Sequence, residues 1–311
     1  MSDAVVTVSL VIPLYNKGEH VAACLRSALA QSHPALEVLV IDDGSTDDGA
    51  AQVLALQAPS VRLVSQPNAG VSLARNRGIA LARGDVVAFL DADDLLHPAY
   101  LATLVRLWRV YPEAGMACTA YRRVDAAGRA VAMRHPRMAA DAIGLVADFH
   151  GAWSRRSFAC SSSIAVRRDL LLRQTTLFPP GERLGEDQDL WLRLAEQAPV
   201  ACCNTPLVDY RVGLAGSATQ SEPPLRNILP CYRRLGERLE AGLVPPPLRP
   251  GARRLLASHL INIARLRAGQ GDTAAAIQLL LRDARSRRNP AYWLRSLFGM
   301  LAGRLSPQAQ S

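Results

Sequence analysis

Asp85-Val86-Val87-Ala88-Phe89-Leu90-Asp91-Ala92-Asp93-Asp94 decides how this chain is read. Val86–Leu90 is too apolar for a surface loop and reads as a buried strand that runs straight into an acidic cluster. In an extended segment alternate side chains share a side, which points Asp91 and Asp93 the same way. Two carboxylates held together repel, and one takes up a proton unless a cation sits between them. Oxygen-only ligands of this kind suit Mg²⁺ or Mn²⁺, which commonly arrive with a diphosphate.

Upstream, Val5–Ile12, Leu36–Ile41 and Val61–Val64 read as three further strands. Helical spacing follows each: Val21, Leu25, Ala28 and Leu29 after the first, a helix through Val53-Leu54 after the second, and Val71–Leu81 after the third. This alternation predicts an α/β fold, a Rossmann-like and mostly parallel sheet flanked by helices. Ligands of such open sheets bind at the carboxyl ends of the strands. There the polar clusters lie: Pro13-Leu14-Tyr15-Asn16, Asp42-Asp43-Gly44-Ser45 and Asp91-Ala92-Asp93. The first turn lacks a G-x-G-x-x-G loop, which argues against a dinucleotide. Phosphates would instead be met by a metal and by arginines.

Asp42–Asp47 also has the composition of a strand-to-helix turn, with Gly44 for a positive φ and Ser45, Thr46 or Asp47 as a cap. That leaves two carboxylates at the strand end unexplained, and Asp43 is suited to accept from a pyrimidine N–H. Arg75, in the first turns of the helix after Asn68-Ala69-Gly70, would lie near the diphosphate. Downstream, Met116–Tyr121 and Ser163–Val166 are strand candidates, and Gly185-Glu186-Asp187 opens a helix. From Asp187, the positions three, four and seven on are Leu190, Trp191 and Leu194, so Asp187 is expected to head the core-facing stripe. An N-cap role is the plain reading; the sharper one is a carboxylate general base at the rim of a cleft.

The 311 residues allow two domains, and 49% hydrophobic with 20% charged residues is an ordinary globular balance. No apolar run approaches the roughly 18 residues that span a bilayer. Met1-Ser2-Asp3-Ala4 lacks the features of a secretory signal, so a cytoplasmic location is expected, with peripheral attachment at the inner membrane face. The six cysteines show no C-x-x-C spacing and read as reduced, buried thiols. No histidine pair has metal-site spacing, and no G-x-S-x-G elbow accompanies Ser161-Ser162-Ser163.

The net charge of +9 is uneven: residues 225–311 carry 15 arginines against Glu237, Glu240, Asp272 and Asp283. Lys17 is the only lysine in the chain. Beyond Pro223-Pro224 the pattern is helical, at about 226–241, 250–268, 272–284 and 290–304. Tyr292, Trp293, Leu294, Leu297, Phe298, Met300 and Leu301 stand beside Arg282, Arg285, Arg287 and Arg288, with Arg295 and Arg304 among them. Such a segment fits an anionic membrane surface; its plainer role is packing on neighbouring helices.

Five blocks in order carry a family resemblance: Val11-Ile12-Pro13-Leu14-Tyr15-Asn16, Asp42–Asp47, Asn68-Ala69-Gly70 with Arg75-Asn76, Asp91–Asp94 and Gly185-Glu186-Asp187. Together they resemble the inverting, nucleotide-sugar-dependent glycosyltransferase family 2, whose catalytic domain has the GT-A fold. The resemblance covers about residues 7–215. It implies a nucleotide-diphosphate-sugar donor, most simply a UDP-sugar, and a saccharide or lipid-linked saccharide acceptor in cell-surface polysaccharide or glycolipid synthesis. Donor contacts would come from Pro13, Tyr15, Asp43, Asn68, Arg75, Asp91, Ala92, Asp93, Glu186 and Arg211. Asp93 would hold Mn²⁺ or Mg²⁺, and Asp187 would be the base. Residues 1–110 would form the nucleotide-sugar half, 111–222 the acceptor half and 223–311 a basic helical region. Family members often carry Tyr-Arg-x-His and a later serine; here Gly213 follows Tyr210-Arg211-Val212, and the serine is Ser217. The processive Gln-x-x-Arg-Trp element is absent, which favours addition of one sugar.

Three rivals stay open. A nucleotidyltransferase would show a Gly-rich basic loop after the first strand, which Pro13–His20 does not supply. A non-catalytic nucleotide-sugar-binding relative gains from Gly213 and loses from the retained Asp91, Asp93 and Asp187. A nucleic-acid binder would need aromatic residues interleaved in a basic motif, so no nucleic-acid partner is expected.

Overall fold

The computed structural model describes residues 6–214 and 227–302. In chain order its elements are β1 (Val8–Leu14), α1 (Gly18–Leu29), β2 (Glu37–Asp42), α2 (Gly49–Ala55), β3 (Val61–Ser65), α3 (Val71–Leu81) and β4 (Val86–Phe89). Next come β5 (Leu95–Leu96), α4 (Tyr100–Val110), β6 (Met116–Val124), β7 (Ala130–Met133), β8 (Ile143–Leu145) and α5 (Phe149–Trp153). Then follow β9 (Ile164–Arg167), α6 (Arg168–Leu172), α7 (Glu186–Ala195), β10 (Val200–Arg211), α8 (Pro230–Glu240), α9 (Arg249–Gly269), α10 (Thr273–Arg282) and α11 (Pro290–Leu301). These fall into two compact units. One holds the chain up to Ala147 and again from Phe158 through β10; the other joins Asp148–Ser157 to the C-terminal helices.

The first unit is built on one sheet, ordered β3-β2-β1-β4-β9-β6-β10-β5, with β7 paired to β6 and β8 to β10. β1 through β4 are mutually parallel and joined by helices; β1, β2 and β4 are buried on both faces, as their continuous apolar runs predict, while β3 is the half-exposed edge strand. β9 lies antiparallel between β4 and β6, so the sheet becomes mixed beyond β4. Leu10, Ile12, Val38, Val40, Val86 and Ala88 form the core with Val21 and Leu25 of α1 and Leu101, Leu104 and Trp108 of α4. On the other face α3 comes unusually close to β1, because a methyl group at Gly78 would run into Val11.

In the second unit α5 packs on α9, where a side chain at Gly251 would collide with the Asp148 carboxylate that caps α5. A small core joins Ile261, Ala264, Ala276, Leu280 and Met300, with Tyr292, Trp293 and Leu297 packed against it. Four residues read from the sequence as candidates for a membrane face therefore turn inward. What α11 leaves exposed is the stripe Leu294, Phe298 and Leu301, at 47%, 65% and 64% accessibility. Among the described residues no helix is long and apolar enough to cross a membrane. All six cysteines are free and all but Cys160 are buried.

Candidate functional site

The carboxyl ends of β1, β2 and β4 meet in a set of stitched loops. Asn16, at φ +49°, accepts from Thr46 N at 2.8 Å through Oδ1 and donates its own N–H to Ser45 Oγ at 3.1 Å. Asp47 Oδ2 accepts from Gly18 N at 2.8 Å, and Asp42 Oδ1 from Ser45 N at 3.0 Å. These bonds fix the first two strand ends against each other. Pro13 is half-buried in β1, while Tyr15 and Asn68 stand exposed at the rim.

Asp43 is buried and heavily engaged. Its Oδ1 accepts from Gln66 Nε2 at 2.7 Å and Ala69 N at 3.0 Å, and its Oδ2 from Gly70 N at 2.8 Å. The carboxylate thus organises the Asn68-Ala69-Gly70 turn into α3, whose entry needs Gly70 at φ +91°.

Arg75 sits one turn before Gly78 on α3, with only 3% of its surface accessible. Its Nη2 donates to Asp91 Oδ1 at 2.8 Å and its Nη1 to Glu186 Oε1 at 2.9 Å, so it ties the end of β4 to the start of α7. The guanidinium also lies 5.3 Å from the Phe178 ring centroid, and Phe178 packs edge-on to Phe89 and Trp191. Burial works against the charge of Arg75, but Asp91, Glu186 and Asp187 outweigh it and hold the proton more firmly than usual.

The acidic segment is not extended. β4 ends at Phe89, and Asp94 N donates to Asp91 O at 3.0 Å, closing a turn over Asp91–Asp94. Alternation therefore does not govern these side chains, and each carboxylate has its own cation: Asp91 takes Arg75, and Asp93 Oδ2 lies 2.7 Å from Lys17 Nζ. Ala92 is buried in the bend. Asp94 is fully buried; its Oδ2 accepts from Ser162 Oγ at 2.5 Å and its Oδ1 from Arg211 N at 3.0 Å. Burial and the charges of Asp91 and Asp93 push its carboxyl well above the usual range. Ser162 Oγ in turn accepts from Asp91 N at 3.0 Å, so β10 and the Ser161–Ser163 turn both brace the acidic loop. The Arg211 side chain reaches toward His20 at the start of α1, 3.5 Å from Nδ1.

α7 begins after Gly185, whose φ of +77° a side chain would resist. Leu190, Trp191 and Leu194 are buried, but so are Glu186, Asp189, Leu192 and Ala195, so the buried face is wider than one stripe, and Asp187 lies at its margin with Gln188 and Arg193. Glu186 and Asp189 are the buried acids, and Asp187 keeps partial exposure. Its Oδ2 accepts from Ser161 Oγ at 2.8 Å and its Oδ1 from Gln188 N at 2.7 Å. Glu186 is pushed up to about 7, first by burial and then by the Asp187 charge, against the pull of Arg75. At position 213 the glycine adopts φ +79°, and Ser217 lies outside the described residues.

Among the described residues no three His, Cys, Asp or Glu side chains converge as a complete metal cage. Asp93 and the free oxygen of Asp91 offer hard oxygen ligands, which fits an ion held by one or two carboxylates and completed by substrate phosphates. Lys17 Nζ, sealed from solvent beside Asp93, already marks a cation position there.

The family model for glycosyl transferase family 2 matches residues 9–172, more than half of the chain. The chain belongs to glycosyl transferase family 2. Its relatives include YibD of Escherichia coli K12, an uncharacterized glycosyltransferase, 45% identical over 109 residues that make up 34% of this chain and 32% of YibD. Across four curated relatives the chain spans from 32% to 64% of their own length. Among solved structures, S. aureus TarS 1-349 in complex with UDP-GlcNAc superposes with a TM-score of 0.70 at 17% identity, covering 96% of this chain and 92% of TarS. The mannosyltransferase PcManGT of Pyrobaculum calidifontis, in complex with GDP-Man and Mn²⁺, gives 0.59 at 21% identity, covering 97% and 89%. At such identities the likeness concerns the GT-A architecture.

Read from the sequence, four residues of this family 2 site have no assigned role, although Asp94 stands in the acidic block Asp91–Asp94. Ser161, Ser162 and Asp94 act through long-range hydrogen bonds that no local pattern reveals. Lys17 does leave a trace, as the single lysine in a chain that otherwise uses arginine.

Proposed function

We propose that this glycosyltransferase moves one sugar from a nucleoside-diphosphate sugar, a UDP-sugar, to an acceptor hydroxyl with inversion. The observation that carries the proposal is Arg75, which joins Asp91 at the end of β4 to Glu186, the neighbour of Asp187, at the start of α7. Asp187 takes the acceptor proton as the acceptor oxygen bonds to the anomeric carbon. The bond from that carbon to the diphosphate breaks, and its electron pair leaves with the nucleoside diphosphate. Ser161 Oγ and Gln188 N hold both Asp187 oxygens in place, which orients the base before the acceptor arrives. Arg75 fixes Asp91 against the donor, and Arg211 supplies positive charge near the departing phosphates. Asp93 would hold Mn²⁺ or Mg²⁺, which when bound neutralises charge on the leaving diphosphate. TarS in complex with UDP-GlcNAc supports a UDP-sugar donor, and PcManGT in complex with GDP-Man and Mn²⁺ supports a nucleoside-diphosphate sugar met by a divalent ion. Calorimetry with UDP and UDP-GlcNAc, with and without EDTA, tests it; EDTA-insensitive affinity would overturn the metal role.

A saccharide on a lipid at an anionic membrane is the acceptor setting this reading favours. Leu294, Phe298 and Leu301 recur on one stripe of α11, and Arg282, Arg285, Arg287, Arg288 and Arg295 are exposed in the same helical unit. Each basic group near an anionic surface adds about 1 kcal/mol of attraction. Vesicle flotation tests the setting, and equal recovery on neutral and anionic liposomes would refute it.

A further inference from the structure

We propose that Lys17 is the resident counter-ion of Asp93 and makes metal entry conditional on the donor diphosphate. This rests on the reading of Asp93 as the metal ligand. The Lys17 and Asp93 side chains are only 15% and 16% accessible, so their 2.7 Å pairing is shielded from water and salt. Apart from Asp93, the ammonium has no charged or hydrogen-bonding partner among the described residues, although Nζ itself is sealed from solvent.

The backbone under Lys17 is held. Its carbonyl accepts from His20 N and Val21 N, both at 2.9 Å, at the first turn of α1. The neighbouring Asn16 and Gly18 are tied to the Ser45–Asp47 loop. Only the four-carbon stem is therefore free to swing. Lysine suits such a movement, being a compact point charge on a flexible chain, whereas arginine prefers a fixed planar fork. In a chain with 36 basic residues, this position carries the sole ammonium side chain.

A divalent ion on the Asp93 carboxylate and an ammonium touching the same oxygen repel strongly at that separation. The ion must displace Lys17, and the displaced ammonium then needs another anion in a place that water reaches poorly. The donor's diphosphate supplies one. Metal alone therefore binds weakly, whereas metal and nucleoside diphosphate bind together, with Lys17 moving from Asp93 to a phosphate oxygen.

The test is Mn²⁺ titration followed by the electron paramagnetic resonance of free Mn²⁺, on wild type, Lys17→Gln, Lys17→Arg and the Lys17→Gln/Asp93→Asn double variant. Without nucleotide, Lys17→Gln is expected to bind Mn²⁺ about tenfold more tightly than wild type, as removal of a shielded competing charge implies. The double variant loses that gain, and Lys17→Arg, which keeps a cation, stays weak. Saturating UDP then tightens Mn²⁺ binding more in wild type than in Lys17→Gln. Equal Mn²⁺ affinity in wild type and Lys17→Gln without nucleotide overturns the inference, as does a gain that survives Asp93→Asn. If UDP binding nonetheless remains EDTA-sensitive, only the role of Lys17 has failed; EDTA-insensitive UDP binding defeats the metal reading beneath it.

Discussion

Replacing Arg75 by glutamine removes the one cation shared by Asp91 and Glu186. The Asp91 side chain is 26% accessible and can rehydrate, whereas Glu186 at 9% is left as a buried, unpaired acid. Breaking a buried pair from one side costs about 3–5 kcal/mol, and losing the contact over Phe178 adds up to about 1 kcal/mol. In a unit of this size each kcal/mol lowers Tm by about 2–4 °C, so a fall of roughly 10 °C is expected at pH 8. The loss depends on pH with a definite sign. Glu186 in the folded protein is pushed up to about 7 from an ordinary 4.5, so between those values the folded state holds more protons than the unfolded one. Stability from this group is full below about pH 4.5 and declines as pH rises through 7. At pH 5 Glu186 is largely neutral with or without Arg75, and the variant should lie much closer to wild type. Adding Glu186→Gln should recover about 2 kcal/mol at pH 8, because the stranded charge is gone. Thermal melts of the four proteins of this cycle at pH 5 and 8 are the assay. An Arg75→Gln loss that is equal at both pH values, or that Glu186→Gln does not relieve, would show that Arg75 does not serve as the tie.

Asp187→Asn should reduce transfer by about 10²–10⁴ while UDP affinity stays within about threefold, since a general base does not hold the donor; near-normal turnover would return Asp187 to helix capping. Asp43→Ala strands the Gln66, Ala69 and Gly70 donors and should cost about 3 kcal/mol by urea titration, with weakened UDP binding, whereas a loss below about 1 kcal/mol would mean the turn holds without it. Gly78→Ala should cost about 1–3 kcal/mol, because α3 must lift from Val11 and carry Arg75 with it; an unchanged melt would show that the helix has room.

Three of the first four strands, β1, β2 and β4, were legible because parallel strands buried on both faces spell themselves as continuous apolar runs; the edge strand β3 showed as a short Val61–Val64 run, and Val71–Leu81 matches α3 end to end. β10 was not, although it is the longest strand described. Asn204, Thr205 and Pro206 interrupt its pattern, and the register shifts on either side of Pro206. Asn204 is buried yet satisfied, because its amide serves the His135 and Met138–Ala139 backbone, a tertiary bargain invisible in a local window. The candidate site divides similarly. Arg75 and Asp91 could be picked out from their places near the strand ends, and Glu186 through the family resemblance, and they are in contact. The partnership of Lys17 with Asp93 could not be read, since it depends on how two distant loops fold back. The geometry assumed for Asp91 and Asp93 also failed, because the strand stops one residue before Leu90 and the chain turns.

The place of β10 in the sheet has a consequence for how the protein is made. It is the last strand in sequence among those described, but it lies inside the sheet, between β6 and β5. Arg122 of β6 waits 87 residues for Asp209, its partner on β10. At ordinary synthesis rates that wait lasts on the order of 10 s, during which β6 has a neighbour on one side and open backbone groups on the other. An uncovered strand of buried-type residues is a template for another chain. The acidic loop is also incomplete until Arg211 N reaches Asp94. A nascent chain therefore acquires its strand edges and its acidic loop late and nearly together, and a chain stopped short of β10 would be adhesive before it was active.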